Sequence, residues 1–164
     1  FTGDRSGDWL YRALFRAGFA SQASAVSHDD GLVLRDAYIT ATAHCAPPDN
    51  KPTREEVERC RPFLLEELQT FLGRRRRPLV LLALGAIAFK ATLEVLDASG
   101  VEIPRPLPRF GHGVEYDLGR RVVLMASYHP SQQNTQTGRL TEAMLDAVFT
   151  RVRALITSRP DSAS

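Results

Sequence analysis

The sequence predicts an α/β fold with a mainly parallel central sheet. Three segments have the composition of strands: residues 37–43, 79–84 and 122–127. The last two are continuous apolar runs, LVLLAL and VVLMAS, which suit strands that are covered on both faces, as in parallel sheets. Segments with helical periodicity alternate with these strands, and such alternation is typical of the α/β class.

Four segments carry helical patterns. They cover residues 9–17, 53–73, 87–98 and a C-terminal helix whose apolar face is formed by Met144, Leu145, Val148, Val152 and Leu155. Thr53 followed by Glu56 is a capping-box signature at the start of the second helix. Gly18, Gly73 and Gly100 follow or end the first three patterns, as expected of helix stop signals. Asp8 is expected to cap the first helix.

Length and composition indicate one globular domain. The chain has 164 residues, with 43% hydrophobic and 24% charged residues. We predict a domain over residues 1–157 and a disordered tail over 158–164. No apolar run approaches the roughly 20 residues that a membrane helix needs, and no signal-peptide pattern is visible. Because the chain opens at Phe1 inside the loop-like stretch FTGDRSGDW, we expect a preceding segment.

The basic residues are unevenly distributed between the two types. The net charge is only +2, yet all of the 21 basic residues except Lys51 and Lys90 are arginines. Arginine binds phosphate in a forked geometry, although codon bias in the source genome explains the same excess. The arginine run at 74–77 is either a phosphate-binding patch or a solvated loop between a helix and a strand.

Polar or glycine-bearing segments follow all three predicted strands. CAPPDNKP follows the first strand, Gly85 follows the second and YHPSQQN follows the third. In open α/β sheets, ligands bind beyond the carboxyl ends of the strands. We therefore expect these three segments to converge on one edge of the sheet and to hold a polar ligand.

Several side chains in these segments have chemistry suited to a site. The carboxamide of Asn50 can read a base edge such as uracil N3–H and O4, or it is a simple turn residue. His129, at a strand end, can donate to a developing oxyanion, or it is a satisfied structural histidine. Ser131 can support the backbone or contact a phosphate. Asp4 can orient a water or steady a cation, and Phe1 can stack on a planar ligand or belong to a core.

The chain has two cysteines, Cys45 and Cys60. Without a signal peptide a disulfide is not expected. Their separation is too long for half of a zinc knuckle. Two readings remain, two ligands of an iron–sulfur cluster or two isolated buried thiols.

Four stretches together resemble the family 5 (type B) uracil-DNA glycosylases. They are FTGDRSGDWLY, CAPPDNKPTREE with a following cysteine, LALGAIAF and SYHPSQQNTQTGRLT, and the similarity runs from Phe1 to about Leu155. NTQTGRLT after HPS distinguishes this family from the related family 4. The resemblance implies a three-layer α/β/α fold with a mainly parallel four-stranded sheet, whose first strand would lie before Phe1.

The resemblance also implies a function and a set of site residues. Such enzymes flip uracil, and also hypoxanthine or other deaminated bases, out of DNA and excise it hydrolytically, leaving an abasic site in base excision repair. The catalytic residues would be Asp4, acting on water, and His129, contacting uracil O2. The substrate-binding residues would be Phe1, Asn50, Gly85 and Ser131. The residues that grip the DNA backbone would be Gln133, Asn134, Thr137 and Arg139.

Cofactor, partner and location follow from the same resemblance. Cys45 and Cys60 match two of four ligands of a [4Fe-4S] cluster, with the other pair expected before Phe1. The partner would be uracil-containing DNA, and we expect a monomer that works in the cytoplasm, at the bacterial nucleoid, without membrane contact. Gln132 stands where the family pattern suggests an arginine, which bears on affinity or base preference.

Two alternatives belong to other functional classes. A non-catalytic DNA-binding protein of this fold is disfavoured because Asp4, Asn50 and His129 are all present. A nucleoside N-glycosidic hydrolase is disfavoured because a long polar loop and the arginine bias suit polymeric DNA. No active-site lysine is indicated, so a strand-cutting Schiff-base step is not expected and the enzyme would be monofunctional.

Overall fold

A computed structural model describes residues 5–27, 29–43, 52–73 and 78–157, with the side chain of residue 5 left out. The chain forms two compact units. The first consists of Phe1–Tyr38 and Tyr128–Ser164, and the second is Ile39–Ser127. Among the helices in the described ranges, none is long and apolar enough to cross a membrane.

The first unit is helical. It contains α1 (Arg5–Arg16), the short α4 (Gln132–Gln136) and α5 (Glu142–Thr157), and α1 packs against α5. Each long helix buries an apolar stripe at helical spacing: Leu10, Ala13 and Leu14 in α1, and Leu145, Val148, Phe149 and Val152 in α5.

Ion pairs and rings support this helix pair. The guanidinium of Arg16 lies 2.7 Å from the carboxylate of Asp146. The rings of Phe19 and Phe149 have centroids 6.2 Å apart. The first predicted helix is confirmed, but it begins at Arg5 rather than at residue 9, so Asp8 lies in its first turn and is not its cap.

The second unit carries the sheet. It contains α2 (Arg54–Gly73), β1 (Leu79–Leu84), α3 (Ala86–Ala98), β2 (Glu115–Asp117) and β3 (Val122–Ser127). The strand order is β1-β3-β2, with β1 parallel and β2 antiparallel to β3. Its core unites helix and strand residues, including Leu68, Phe89, Val95, Leu96, Val122, Leu124 and Ala126.

The start of α2 shows the predicted capping box. The backbone N–H of Thr53 donates to Glu56 Oε2 at 2.7 Å, and the N–H of Glu56 donates to Thr53 Oγ1 at 3.2 Å. These bonds satisfy donors that a helix N-terminus otherwise leaves unpaired, which explains why α2 starts here.

The α/β class is confirmed, and so are the strands at 79–84 and 122–127. The strand predicted over 37–43 is wrong, because this segment joins no ladder in the structure. It has strand-like composition, but a strand needs a partner for its backbone groups, and composition alone supplies none. The described sheet has three strands, of which β1 and β3 are parallel and β2 is antiparallel to β3, and β2 was not predicted.

Candidate functional site

The predicted site residues are distributed over both units and beyond the described ranges. Phe1, Asp4, Cys45, Asn50 and the arginine run at 74–77 lie outside the described residues. Gly85 and Cys60 belong to the second unit. The first unit contains the largest group: His129, Ser131, Gln133, Asn134, Thr137 and Arg139.

β1 and β3 end at the same edge of the sheet, as predicted. Leu84 is the register partner of Ser127, and the N–H of Gly85 donates to the Ser127 carbonyl at 2.9 Å. Gly85 precedes α3 with φ 97° and ψ 163°, a conformation that glycine adopts without a Cβ penalty. No side chain caps α3 there. Because Gly85 has no side chain, the residue at the N-cap does not itself satisfy the first-turn N–H groups of α3.

The HPS motif begins at His129, the second residue of the first unit's second segment, Tyr128–Ser164. Pro130 is fully buried, while His129 and Ser131 are half-buried. Ser131 is the N-cap of α4, with its Oγ accepting from the Asn134 N–H at 3.4 Å. Its carbonyl accepts from the Thr135 N–H at 3.0 Å. The motif is thus anchored on one side by a buried ring and on the other by a helix cap.

Asn134 ties the two ends of this segment together. Its Nδ2 donates to the His129 carbonyl at 2.9 Å, and its own carbonyl accepts from the Leu140 N–H at 2.9 Å. Leu140 is fully buried. We call these two bonds the Asn134 clasp, because they fix the backbone of His129 against the end of the turn after α4.

The polar segment 131–139, interpreted from sequence as a loop, contains the helix α4. The hydroxyl of Thr137, which was expected to contact DNA, bonds to the Gln133 carbonyl one turn earlier at 2.6 Å. The hydroxyl of Thr135 likewise bonds to the Ser131 carbonyl at 3.1 Å. Gly138, with φ 70°, ends this turn. Ser131 and the clasp supply the bonds that a single helical turn cannot provide for itself.

The exposed face of this segment carries amides and one arginine. Gln132, Gln133 and Arg139 are exposed. The Arg139 guanidinium stacks over the Tyr128 ring at 4.6 Å, and no carboxylate in the described residues pairs with it. A charged group held in place by an aromatic ring and lacking an ion-pair partner is suited to binding phosphate.

A shallow groove of about 330 Å³ lies beside α4, and sequence reasoning missed it. It is lined by Asp8, Trp9, Arg12, Gln132, Thr135 and Gln136. The signal in the sequence was helical spacing: Asp8 and Arg12 are one turn apart on α1, as are Gln132 and Gln136 on α4. Arg12 is already engaged, since its Nη1 lies 3.3 Å from Glu142 and its Nε donates to the Asp8 carbonyl.

Of the two cysteines expected to ligate an iron–sulfur cluster, only Cys60 lies within the described residues. Cys60 lies about two turns into α2 and is 8% exposed. A buried thiol suits a cluster ligand, and its partner Cys45 lies outside the described residues. Within the described ranges, no group of three or more His, Cys, Asp or Glu side chains is arranged to hold a metal ion.

Comparison with known proteins gives the family. Residues 1–153 match the family model described as the uracil DNA glycosylase superfamily. The chain is 46% identical to a type-5 uracil-DNA glycosylase of Mycobacterium tuberculosis, over 94% of this chain and 55% of that protein. For the type-5 enzyme of Thermus thermophilus the identity is 42%, over 94% and 66%.

A type-4 uracil-DNA glycosylase of Archaeoglobus fulgidus is 34% identical over 62% of this chain and 48% of its own. The higher identity to type-5 proteins agrees with the assignment made from NTQTGRLT. The chain spans little more than half the length of the mycobacterial relative, 55%. The match over residues 1–153 covers nearly the whole sequence, and the chain therefore belongs to the uracil DNA glycosylase superfamily.

Proposed function

We propose that this protein excises uracil from DNA by hydrolysing the N-glycosidic bond, leaving an abasic site. Family membership and the names of the type-5 relatives support this proposal. The observation that carries it is the fixed backbone of His129, held between the buried Pro130 and the Asn134 clasp. A donor that must meet a small developing charge needs such a rigid support.

The chemistry requires the base to leave the helix. A glycosidic bond inside a duplex is inaccessible, so the nucleotide is extruded into a pocket. As the bond breaks, the sugar gains oxocarbenium character and negative charge moves to uracil O2. The His129 imidazole donates a hydrogen bond to that oxygen and stabilises the charge where it develops.

Residues outside the described ranges complete the proposed site. Asp4 positions the attacking water and favours the cationic sugar. Asn50 reads the uracil edge, because cytosine presents the opposite pattern of donors and acceptors. Phe1 stacks on the flipped base, while Gly85 and Ser131 line the substrate site. Hypoxanthine and other deaminated bases are further substrates under this proposal.

DNA is held through its backbone. Arg139 pairs with a phosphate, and Gln133 offers its carboxamide beside it. Thr137 would contact DNA by exchanging the bond of its hydroxyl to the Gln133 carbonyl for one to a phosphate. Asn134, whose carboxamide bonds to the His129 carbonyl, serves this set by shaping the segment that carries Gln133 and Arg139. Such contacts position the duplex without reading its sequence, so binding falls as salt rises.

We also propose that Cys45 and Cys60, the two cysteines of the sequence, ligate a [4Fe-4S] cluster. The buried position of Cys60 supports this role. When bound, the cluster would cross-link the segments that carry its thiolates. Cys60→Ser is expected to lower the iron and sulfide content of the purified protein, and unchanged contents would remove Cys60 from the ligand set.

The direct test is uracil release from a labelled duplex containing one uracil, with EDTA present and alkali added afterwards. Alkali-dependent cutting at the uracil is expected, and cutting without alkali would contradict the monofunctional assignment. His129→Ala is expected to lower the single-turnover rate by about 10²–10³-fold with little change in DNA affinity. Equal losses in rate and affinity would make His129 a binding or folding residue.

Controls separate the alternatives. A uracil-free duplex gives the background, and free deoxyuridine tests the nucleoside hydrolase. DNA binding without release of any deaminated base would favour a non-catalytic DNA-binding protein. Asn50→Asp is expected to relax selectivity toward cytosine in a competition assay, and unchanged selectivity would count against Asn50 as the base reader.

A further inference from the structure

The RFGHG stretch of the second unit, residues 109–113, is held rigidly around its histidine. On the N-terminal side, the Tyr116 hydroxyl donates to the Arg109 carbonyl at 2.8 Å and accepts from the Arg109 N–H at 3.0 Å. The Phe110 ring packs edge-on against Phe89, with centroids 5.8 Å apart. These contacts place the backbone just before His112.

The C-terminal side is fixed by β3. The Gly113 N–H donates to the Ala126 carbonyl at 2.8 Å, and the Ala126 N–H donates to the Val114 carbonyl at 3.1 Å. Gly113 has φ 73°, and a Cβ at Gly111 would lie 3.0 Å from Val114 Cγ1. The positive φ favours glycine at position 113, and a side chain at position 111 would crowd Val114, along the path that brings His112 to the end of β3.

The His112 imidazole contacts a buried hydroxyl. Its Nδ1 lies 3.3 Å from Oγ of Ser127, the last residue of β3. Ser127 is 0% exposed and is the one polar residue in the described part of the chain that is classed as buried. The Ser127 carbonyl also accepts from the Gly85 N–H at 2.9 Å. A buried hydroxyl needs a partner, and the imidazole supplies one.

We propose that His112 is a positioning residue for uracil excision, acting through Ser127 at the end of β3. His129 follows Ser127 by two residues, so the bond between His112 and Ser127 sets where the chain leaves the sheet toward the HPS motif. This role rests on the proposed glycosylase function.

The test compares His112→Leu, His112→Asn and Ser127→Ala with the wild-type protein. Leucine removes both ring nitrogens, whereas an asparagine amide places a donor and an acceptor close to the Nδ1 position. His112→Leu and Ser127→Ala are each expected to lower the single-turnover rate about fivefold to tenfold, the range for loss of one neutral hydrogen bond. Affinity for uracil-containing duplex should stay within about twofold.

Two further variants sharpen the comparison. The double variant His112→Leu/Ser127→Ala should be no slower than either single variant, because both remove the same bond. Ser99→Ala is the matched control, since it deletes a hydroxyl that bonds to the Val95 carbonyl at the C-terminal end of α3. It should excise uracil at the wild-type rate.

Recovery of the rate in His112→Asn, with unchanged affinity throughout, would support the inference. A wild-type rate in folded His112→Leu would overturn it. So would equal losses of rate and affinity, equal impairment of the Asn and Leu variants, or a double variant whose loss is the product of the single losses. Ser127→Ala keeps the test decisive if His112→Leu does not fold.

A second readout does not depend on activity. Ring signals of His129 in histidine-labelled protein, followed by NMR, should shift in His112→Leu and return toward wild type in His112→Asn. If the wild-type protein releases no uracil, the proposed function fails, and this readout decides the inference alone. Unchanged His129 signals in His112→Leu would overturn it.

Discussion

Replacing Asn134 with alanine should loosen His129 without removing any contact that the imidazole makes. The change deletes the bond from Nδ2 to the His129 carbonyl, which is 2.9 Å long and half-buried. A neutral hydrogen bond of this kind contributes about 0.5–1.5 kcal/mol to stability. For a chain of 164 residues, a loss of about 1 kcal/mol corresponds to a fall in Tm of roughly 2–4 °C.

The rate of uracil excision by Asn134→Ala should fall as well, because the Asn134 clasp holds His129, whose imidazole donates a hydrogen bond in the transition state. If the full energy of the bond serves to orient His129, the loss is up to about tenfold in single-turnover excision. DNA affinity should change little. Asn134→Asp should lower the Tm and the excision rate as Asn134→Ala does, since an ionised carboxylate cannot donate to the His129 carbonyl.

The matched control is Gln133→Ala. Gln133 is the exposed neighbour of Asn134 and also carries a carboxamide, but its side chain makes no hydrogen bond within the described residues. The free energy of unfolding of Gln133→Ala should differ from that of the wild-type protein by no more than about 0.5 kcal/mol, as is usual for surface sites. An Asn134→Ala protein with wild-type Tm and rate but weaker, more salt-sensitive DNA binding would refute the clasp and make the carboxamide a DNA contact.

Three further predictions concern stability. Thr53→Ala should lower the free energy of unfolding by about 1 kcal/mol, because it removes the capping box. Thr53→Ser should restore this stability, and an unchanged Tm in Thr53→Ala would contradict the prediction. Arg153→Lys should destabilise the first unit by about 1 kcal/mol although it keeps the charge, because the Cζ of the flat guanidinium lies 3.7 Å from the centroid of the Phe19 ring. Equal thermal stability of the two proteins would argue against this stacking. The pKa of Asp30 is lowered from its usual 3.8 by backbone N–H groups, that of Val26 above all, so its stabilising effect is present above pH 3.8 and is lost as pH falls through the lower folded pKa. An NMR titration should show the lowered pKa, Asp30→Asn should abolish this acid dependence, and an ordinary pKa would refute the interpretation.

Much of the second unit could be predicted because its signals are local. β1 and β3 have the predicted bounds, since five or six consecutive apolar residues suit only a buried strand or helix segment, and β-branched residues favour the strand. The capping box of α2 spans four residues, so Thr53 and Glu56 specify it without help from the rest of the chain.

Segments whose structure depends on distant partners were predicted less well. Residues 37–43 have strand composition but join no ladder, because nothing in their own sequence provides a neighbouring strand. β2 is only three residues long and forms because β3 offers its edge. The polar turn at Gln132–Gln136 has little helical signal, and its helix depends on Ser131 and on the bond of Asn134 to a residue five positions earlier.

The family, the two buried strands, the long helices and the HPS motif at His129–Ser131 can all be predicted from the amino-acid sequence. Which polar groups serve the site and which serve the fold becomes visible only in the folded chain. The Asn134 carboxamide and the Thr137 hydroxyl bond within the segment, while the exposed Arg139 guanidinium lies over the Tyr128 ring. The contact of His112 with Ser127 spans 15 residues and exists only because a glycine-rich turn returns the chain to β3. Hydrogen bonds between neighbours can be inferred from spacing, whereas a bond between distant residues depends on the path of all the chain between them.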